Sequence, residues 1–394
     1  MARTTYSALK TVGKAFDLSM VFHGMVIAAG LAAVWYMEHY GHIVTGMGNK
    51  VVWGMPHVFA IFLIIAASGA LNIASISSVF SKKPYKPLAR LSGLLALSLL
   101  LGGLSVLVLD LGRPDRLILA MTTYNFKSVF AWNIFLYTGF MAIVVLYLYA
   151  MMTRYTNKMT RPLGYLAFIW RLVLTAGTGS IFGFIVARSA YDSALFAPLF
   201  ISSSLVYGLA FTVIILKIVE HSSRSTLVDR QMIGKFRNLL MTFTATVLLI
   251  TIIFHLTKLY ATQNHPLEVF LLAGDNEFSL IFWLGQIIVG TIIPIILMMI
   301  WRKSININQL AWISGLLLVG GFAQLYVILI GGQAFPIELF PGMEVSSTFE
   351  DGEIVSYRPS LPEILLGLAG ISIAMLLSGI LMRIMPFLPK SEMS

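Results

Sequence analysis

There is no cysteine among the 394 residues. Disulfides, cysteine-held iron–sulfur clusters and thiolate-ligated haem are therefore excluded within this chain. Charge is scarce as well: 11% of residues are Asp, Glu, Lys or Arg, against about 25% in soluble globular domains. With 58% of residues hydrophobic, a soluble globular fold is ruled out. A cleaved signal is not expected either. Met1 to Asp17 is polar and basic, and no small-residue cleavage pattern follows the first apolar run.

What the chain has instead is at least nine long stretches nearly free of charge, each sufficient to cross about 30 Å of hydrocarbon as a helix. In lipid every backbone amide needs an internal partner, so these stretches must be helical. The fold class is all-α integral membrane. Ten spans are predicted, at 17–36, 52–80, 88–110, 128–153, 163–188, 194–219, 238–262, 278–301, 309–331 and 361–384, in one polytopic domain covering 1–394. Nineteen of the 27 Lys and Arg residues fall on one side of these spans and seven on the other, with Arg171 inside a span. The basic side is the cytoplasm, which places both termini there and assigns the net charge of +10 to loops rather than to nucleic-acid binding. PHVFAIFLIIAASGA (56–70) and APLFISSSLVYGLA (197–210) form a faint repeat, each proline-led with a small-residue step. Spans two to five and six to nine then read as two parallel four-helix bundles.

The sharpest local feature is LDLGRPDR (109–116), where two carboxylates and two guanidiniums follow an apolar helix. Asp110 and Arg113 stand i, i+3 and are expected to satisfy one another. Gly112 and Pro114 end the helix, Asp115 is placed to cap a short following one, and Arg116 completes the group. With the predicted topology, other costly polar residues gather at this same outer level. They are His57, Asn133, Arg188, Tyr191, Asp192, His255, Lys258 and Gln333. Lys258 is expected to snorkel to the interface. A quinone needs an apolar slot, a donor for each carbonyl and a titratable neighbour, and His57, Tyr191, Asp192 and His255 are of the right types. Nearer the opposite side, His23 and Arg171 either belong to a proton path or, for Arg171, snorkel or bond carbonyls. Two outer loops are acidic. One carries Glu268, Asp275 and Glu277; the other carries Glu338, Glu344, Glu350, Asp351 and Glu353 against Arg358. Both read as a docking surface.

GGLSVLVLDLGRPDR followed by YNFKSVFAWNIFLYTG (124–139), with the WGMP entry at 53–56, resembles the NrfD/PsrC family, the membrane subunits of polysulfide reductase and related respiratory complexes. The stretch 329–367 looks most like its ten-helix branch, which contains DsrP of the Dsr sulfur-metabolism complex and the hydrogenase subunit HybB. The resemblance implies two four-helix bundles, about 50–153/163–188 and 194–331, with flanking helices 17–36 and 361–384. It also implies a site for menaquinone or ubiquinone near the outer leaflet, with a polar quinone contact at or near His57. A periplasmic iron–sulfur partner with further redox subunits, a bacterial inner-membrane location, and no metal or haem in this chain are implied as well. In related complexes a histidine occupies the position of Asp192, and Tyr191 stands where a tyrosine contact is sought.

Two other readings use the same residues. A b-type cytochrome would ligate haem through His57 and His255. A transport or proton-pumping module would use His23, Arg171 and the outer cluster.

Overall fold

The computed structural model describes residues 5–9, 13–337 and 352–389, and is nearly all helical. Among the described residues, ten helices are long and apolar enough to cross a membrane. They are α1 (Lys14–Tyr40), α2 (Met55–Ser78), α3 (Lys83–Leu109), α4 (Val129–Met152), α5 (Asn157–Gly183), α6 (Phe196–Ser223), α7 (Arg230–Tyr260), α8 (Glu277–Ile300), α9 (Ile307–Ala334) and α10 (Leu361–Ile384). All ten predicted spans are present, and the differences lie at their ends. The seventh begins at Arg230 because the Asp229 side chain accepts the Met232 amide and caps it. The fifth stops at Gly183, so Arg188, Tyr191 and Asp192 belong to a connecting loop rather than to its last turn.

Packing resolves the protein into two four-helix bundles and a flanking pair. Helices α2 to α5 form one ring and α6 to α9 the other, while α10 packs against α2 and α3 and α1 packs on α10. The bundles join through α2 and α6, whose apolar windows are 89% and 83% buried, against 11% for α1. That contact is close because Gly69 lies on the Ser204 carbonyl and Gly208 on the Gly69–Ala70 backbone, where a Cβ on either glycine would overlap main chain. The two helices of the faint repeat therefore meet each other at small residues.

Four features break regular α geometry. Helix α2 is interrupted at Leu71. There the Ser92 hydroxyl of α3 donates to the Ala70 carbonyl at 2.7 Å and accepts from the Ala74 amide at 3.0 Å, standing in place of the hydrogen bond those two groups would make. Helix α8 is π-helical over Ile281–Ile292, and α9 over Val327–Gly331. A third π segment, Val269–Ala273, precedes α8. At the terminal end of the molecule, Tyr6–Ser7 pairs antiparallel with Leu388–Pro389, and Arg383 pairs with Asp17.

Candidate functional site

The polar residues predicted at one level lie at one end of the bundles, in three clusters rather than one. The first joins α2 to α3. His57 Nδ1 approaches Asp110 Oδ2 at 3.1 Å, with the imidazole partly exposed and the Asp110 side chain 1% exposed. The approach lies off the axis of a good hydrogen bond, so both Asp110 oxygens lack a hydrogen-bond partner among the described residues. This corrects the expected Asp110–Arg113 pair. Helix α3 ends at Leu109, Asp110 leaves helical geometry, and Gly112 takes φ +66°, which turns Arg113 off the Asp110 face. Arg113 instead grips Asp115 through two hydrogen bonds of 3.0 and 2.9 Å. Each holds the other's charge, raising the guanidinium pKa and lowering the carboxyl pKa. A short helix does follow, Leu117–Thr122, but Asp115 sits in the preceding turn and does not cap it, while Arg116 is exposed.

An aromatic group stands just before the start of α2. The Trp53 ring, four residues before His57, packs on Phe130, Phe182 and Tyr191, with centroids 5.9, 5.6 and 6.4 Å away. Asn133 is buried and ties α4 to α5, its amide donating to the Val129 and Gly177 carbonyls.

The second cluster fastens the loop after α5. Tyr191 donates to the Leu329 carbonyl at 2.8 Å, and burial pushes its phenol above the usual range, so it remains a neutral donor. Arg188 reaches the carbonyls of Gln333 and Lys50. The Gln333 amide in turn accepts from Val52 and Trp53 and donates to Trp53 and Leu329. Lys258 does not snorkel: its ammonium is turned inward onto the carbonyls of Ser189, Tyr191 and Asp192, at 2.8, 2.9 and 3.3 Å. The Asp192 residue is exposed at φ +41°.

The third cluster belongs to the second bundle. His255 Nδ1 lies 2.7 Å from Glu268 Oε2, and the Glu268 side chain is fully buried. Glu268 is therefore not part of an acidic docking surface, because its loop folds back over the end of α7. Asp275, Glu277, Glu353 and Arg358 are exposed, and Glu338, Glu344, Glu350 and Asp351 lie outside the described residues. His57 and His255 sit in different bundles, each turned to its own carboxylate, which is not the facing pair that a shared haem requires.

Of the two interior residues, His23 faces Ser372 of α10 at 3.2 Å and lines a cavity of about 280 Å³ with Lys217 and His221. Arg171 neither snorkels nor bonds carbonyls. It is buried between α5 and α2, donates to the Asn72 side chain at 3.0 Å, and leaves Nε and one terminal nitrogen without partners among the described residues. The two lie at different helix contacts, α1 with α10 and α5 with α2.

Residues not singled out from the sequence complete the setting of His57. Glu363 accepts from the Tyr357 hydroxyl and from the amides of Gly46 and Ser360. Tyr357 itself accepts the Met55 amide at the start of α2. The Ser360–Glu363 capping box was the available sequence signal.

The family model described as polysulphide reductase, NrfD, matches residues 43–337. The protein is similar to the Hdr-like menaquinol oxidoreductase integral membrane subunit of Archaeoglobus fulgidus, at 28% identity over 88% of each sequence. It is similar to a selenate reductase subunit from Mesobacillus selenatarsenatis at 26% identity, over 93% of each sequence. With a polysulfide reductase polypeptide from Wolinella succinogenes it shares 23% identity over 73% of its own length and 96% of the relative's. Ten apolar helices in two bundles and a match spanning both of them lead to one conclusion: the chain belongs to the NrfD polysulphide reductase family of integral membrane proteins.

Proposed function

We propose that this protein is the membrane anchor and quinol-reactive subunit of a respiratory redox complex, with His57 and Asp110 as its proton-handling pair. The observation that carries the reading is Asp110: a buried carboxylate with neither oxygen hydrogen-bonded among the described residues, 3.1 Å from an imidazole that is partly open. A carboxylate left so in an apolar bundle is costly unless a proton or a ligand donor satisfies it. The residues fit a quinol, since the partly exposed Trp53 and the exposed Phe130 offer flat apolar surface and the histidine–aspartate pair offers a donor and an acceptor. When bound, that ligand supplies two electrons and two protons. His57 accepts a proton at its exposed nitrogen while Asp110 steadies the resulting imidazolium across the 3.1 Å contact. Asn133 and Tyr191 hold the surrounding helices and loop in register.

The relatives named for menaquinol, selenate and polysulfide support a membrane subunit that passes electrons between the quinone pool and partner redox proteins. On this reading the partner is an iron–sulfur protein docked on the extracytoplasmic face, both termini are cytoplasmic, and the host membrane is the bacterial inner membrane. Sulfur metabolism is the favoured context. In the purified complex, His57→Ala and Asp110→Asn should each lower quinol-dependent turnover by about a hundredfold, with the subunits still co-purifying. Wild-type turnover in both variants would remove this pair from the reaction.

A further inference from the structure

The His255–Glu268 pair lies in the second bundle, apart from His57 and Asp110, and three independent features converge on it. Glu268 is buried, and its second oxygen, Oε1, has no hydrogen-bond partner among the described residues. Beside His255 is a cavity of about 30 Å³, enough for about two water molecules. Its wall includes Thr251, Gln286 and Gln324. Gln324 carries the second unsatisfied group. Its Oε1 accepts from Tyr207 at 2.6 Å and from Ser203 at 3.2 Å, which fixes the amide, and its Nε2 is left without a partner among the described residues.

The third feature is the backbone. All three π-helical segments found among the described residues supply part of this wall: Leu271 from the first, Phe282 and Gln286 from the second, Val327 and Ile328 from the third. A π turn holds one residue more than an α turn and gathers at functional sites rather than in ordinary packing. The Thr291 hydroxyl bonds the Gln286 carbonyl five residues back, in keeping with the wider register.

We propose that His255, Glu268 and the water of this cavity form a second proton-holding site, separate from the quinol reaction. One proton is shared between Nδ1 and Oε2. Hydronium in the cavity water gives a proton to His255 Nε2 and is left as neutral water; the pair then holds two protons, as imidazolium with carboxylate or as neutral imidazole with carboxylic acid, and returns one to the same water. Only N–H and O–H bonds form and break, and no oxidant or reductant is involved. Gln324 Nε2 is the group of the cavity wall that the water satisfies, and His255, which lines the same cavity, links that water to Glu268.

The charged and titratable groups around the pair leave it room to exchange. Lys258, one turn along α7, is spent on three carbonyls. Tyr191 is committed to Leu329, and Tyr207 to Gln324. Tyr326 of α9 is stacked on Phe278. His265 is exposed and engages the Leu259 carbonyl. Asp192 and Glu277 are exposed at the ends of their segments.

The test uses the full-length protein in lipid nanodiscs, without quinol turnover, so its outcome is independent of the His57 reading. Infrared difference spectra between acid and neutral pH should show a carboxyl band that shifts in heavy water, disappears in Glu268→Gln and changes frequency in His255→Gln. Gln324→Leu should slow its deuterium exchange several-fold. Should Glu268→Gln fail to insert, ¹⁵N-histidine NMR of the wild type, assigned with His255→Gln, reads the same proton. A titration unchanged in Glu268→Gln overturns the proposal. So does a His255 N–H signal that neither titrates nor exchanges with heavy water.

Discussion

The Tyr357 hydroxyl is shared by three segments. It donates to Glu363 at 2.5 Å and accepts the Met55 amide at 2.7 Å, while Glu363 takes the Gly46 amide at 2.7 Å. The loop before α2, the start of α2 and the start of α10 are thereby clasped together two residues from His57. Burial first, and then the bond and charge of Glu363, raise the tyrosine pKa. A raised pKa favours the protonated form in the fold. The clasp is therefore whole below the ordinary phenol pKa of about 10, and its stabilisation is lost only as pH rises beyond that. Tyr357→Phe should leave the Met55 amide and a buried carboxylate oxygen unsatisfied and destabilise the protein by about 1–3 kcal/mol. Thermal unfolding of the detergent-solubilised variant would show it. An unchanged melting temperature, or a clasp contribution that disappears near neutral pH, would contradict this account.

At the scale of elements, the close crossing of α2 and α6 organises the molecule. Glycine is needed at 208 because a Cβ there would overlap the Gly69–Ala70 main chain, which cannot retreat as a side chain can. Gly208→Val should lower stability by at least about 1–3 kcal/mol through overpacking. Gly315→Ala, facing open space on α9, should be neutral or slightly stabilising, since Ala is favoured over Gly in a helix by about 1 kcal/mol. Equal melting temperatures for the two variants would show that the crossing is not tight. Ser68 and Gly69 are the only local sign of the break in α2, and they do not fix its place at Leu71. The wedge is Ser92, twenty-one residues further along the sequence and on another helix.

At the scale of the molecule, the even number of spanning helices among the described residues and the Tyr6–Ser7 to Leu388–Pro389 pairing put both ends of the described residues on one side. In the proposed topology that side, which carries the excess of basic residues, is the cytoplasm. The absence of cysteine makes the protein a ready background for accessibility mapping. Tyr155, in the α4–α5 connection, and Tyr260, at the end of α7, are 94% and 91% exposed on opposite sides. In intact spheroplasts, a membrane-impermeant thiol reagent should label Tyr260→Cys and spare Tyr155→Cys until the membrane is opened. The reverse pattern would turn the proposed quinol site toward the cytoplasm.

The sequence by itself determined the ten helices, their alternation, and the end at which the costly polar residues collect. Length, hydropathy and lysine–arginine bias are local properties that a bilayer reads directly. Only the tertiary structure decided which polar group meets which. Asp110 turns to His57 and not to Arg113, Lys258 turns inward, and Glu268 leaves the surface to join His255. The physical reason is rotational. A helix apolar nearly all round gives little indication of which face will be buried, and one residue of rotation, about 100°, exchanges one polar partner for another.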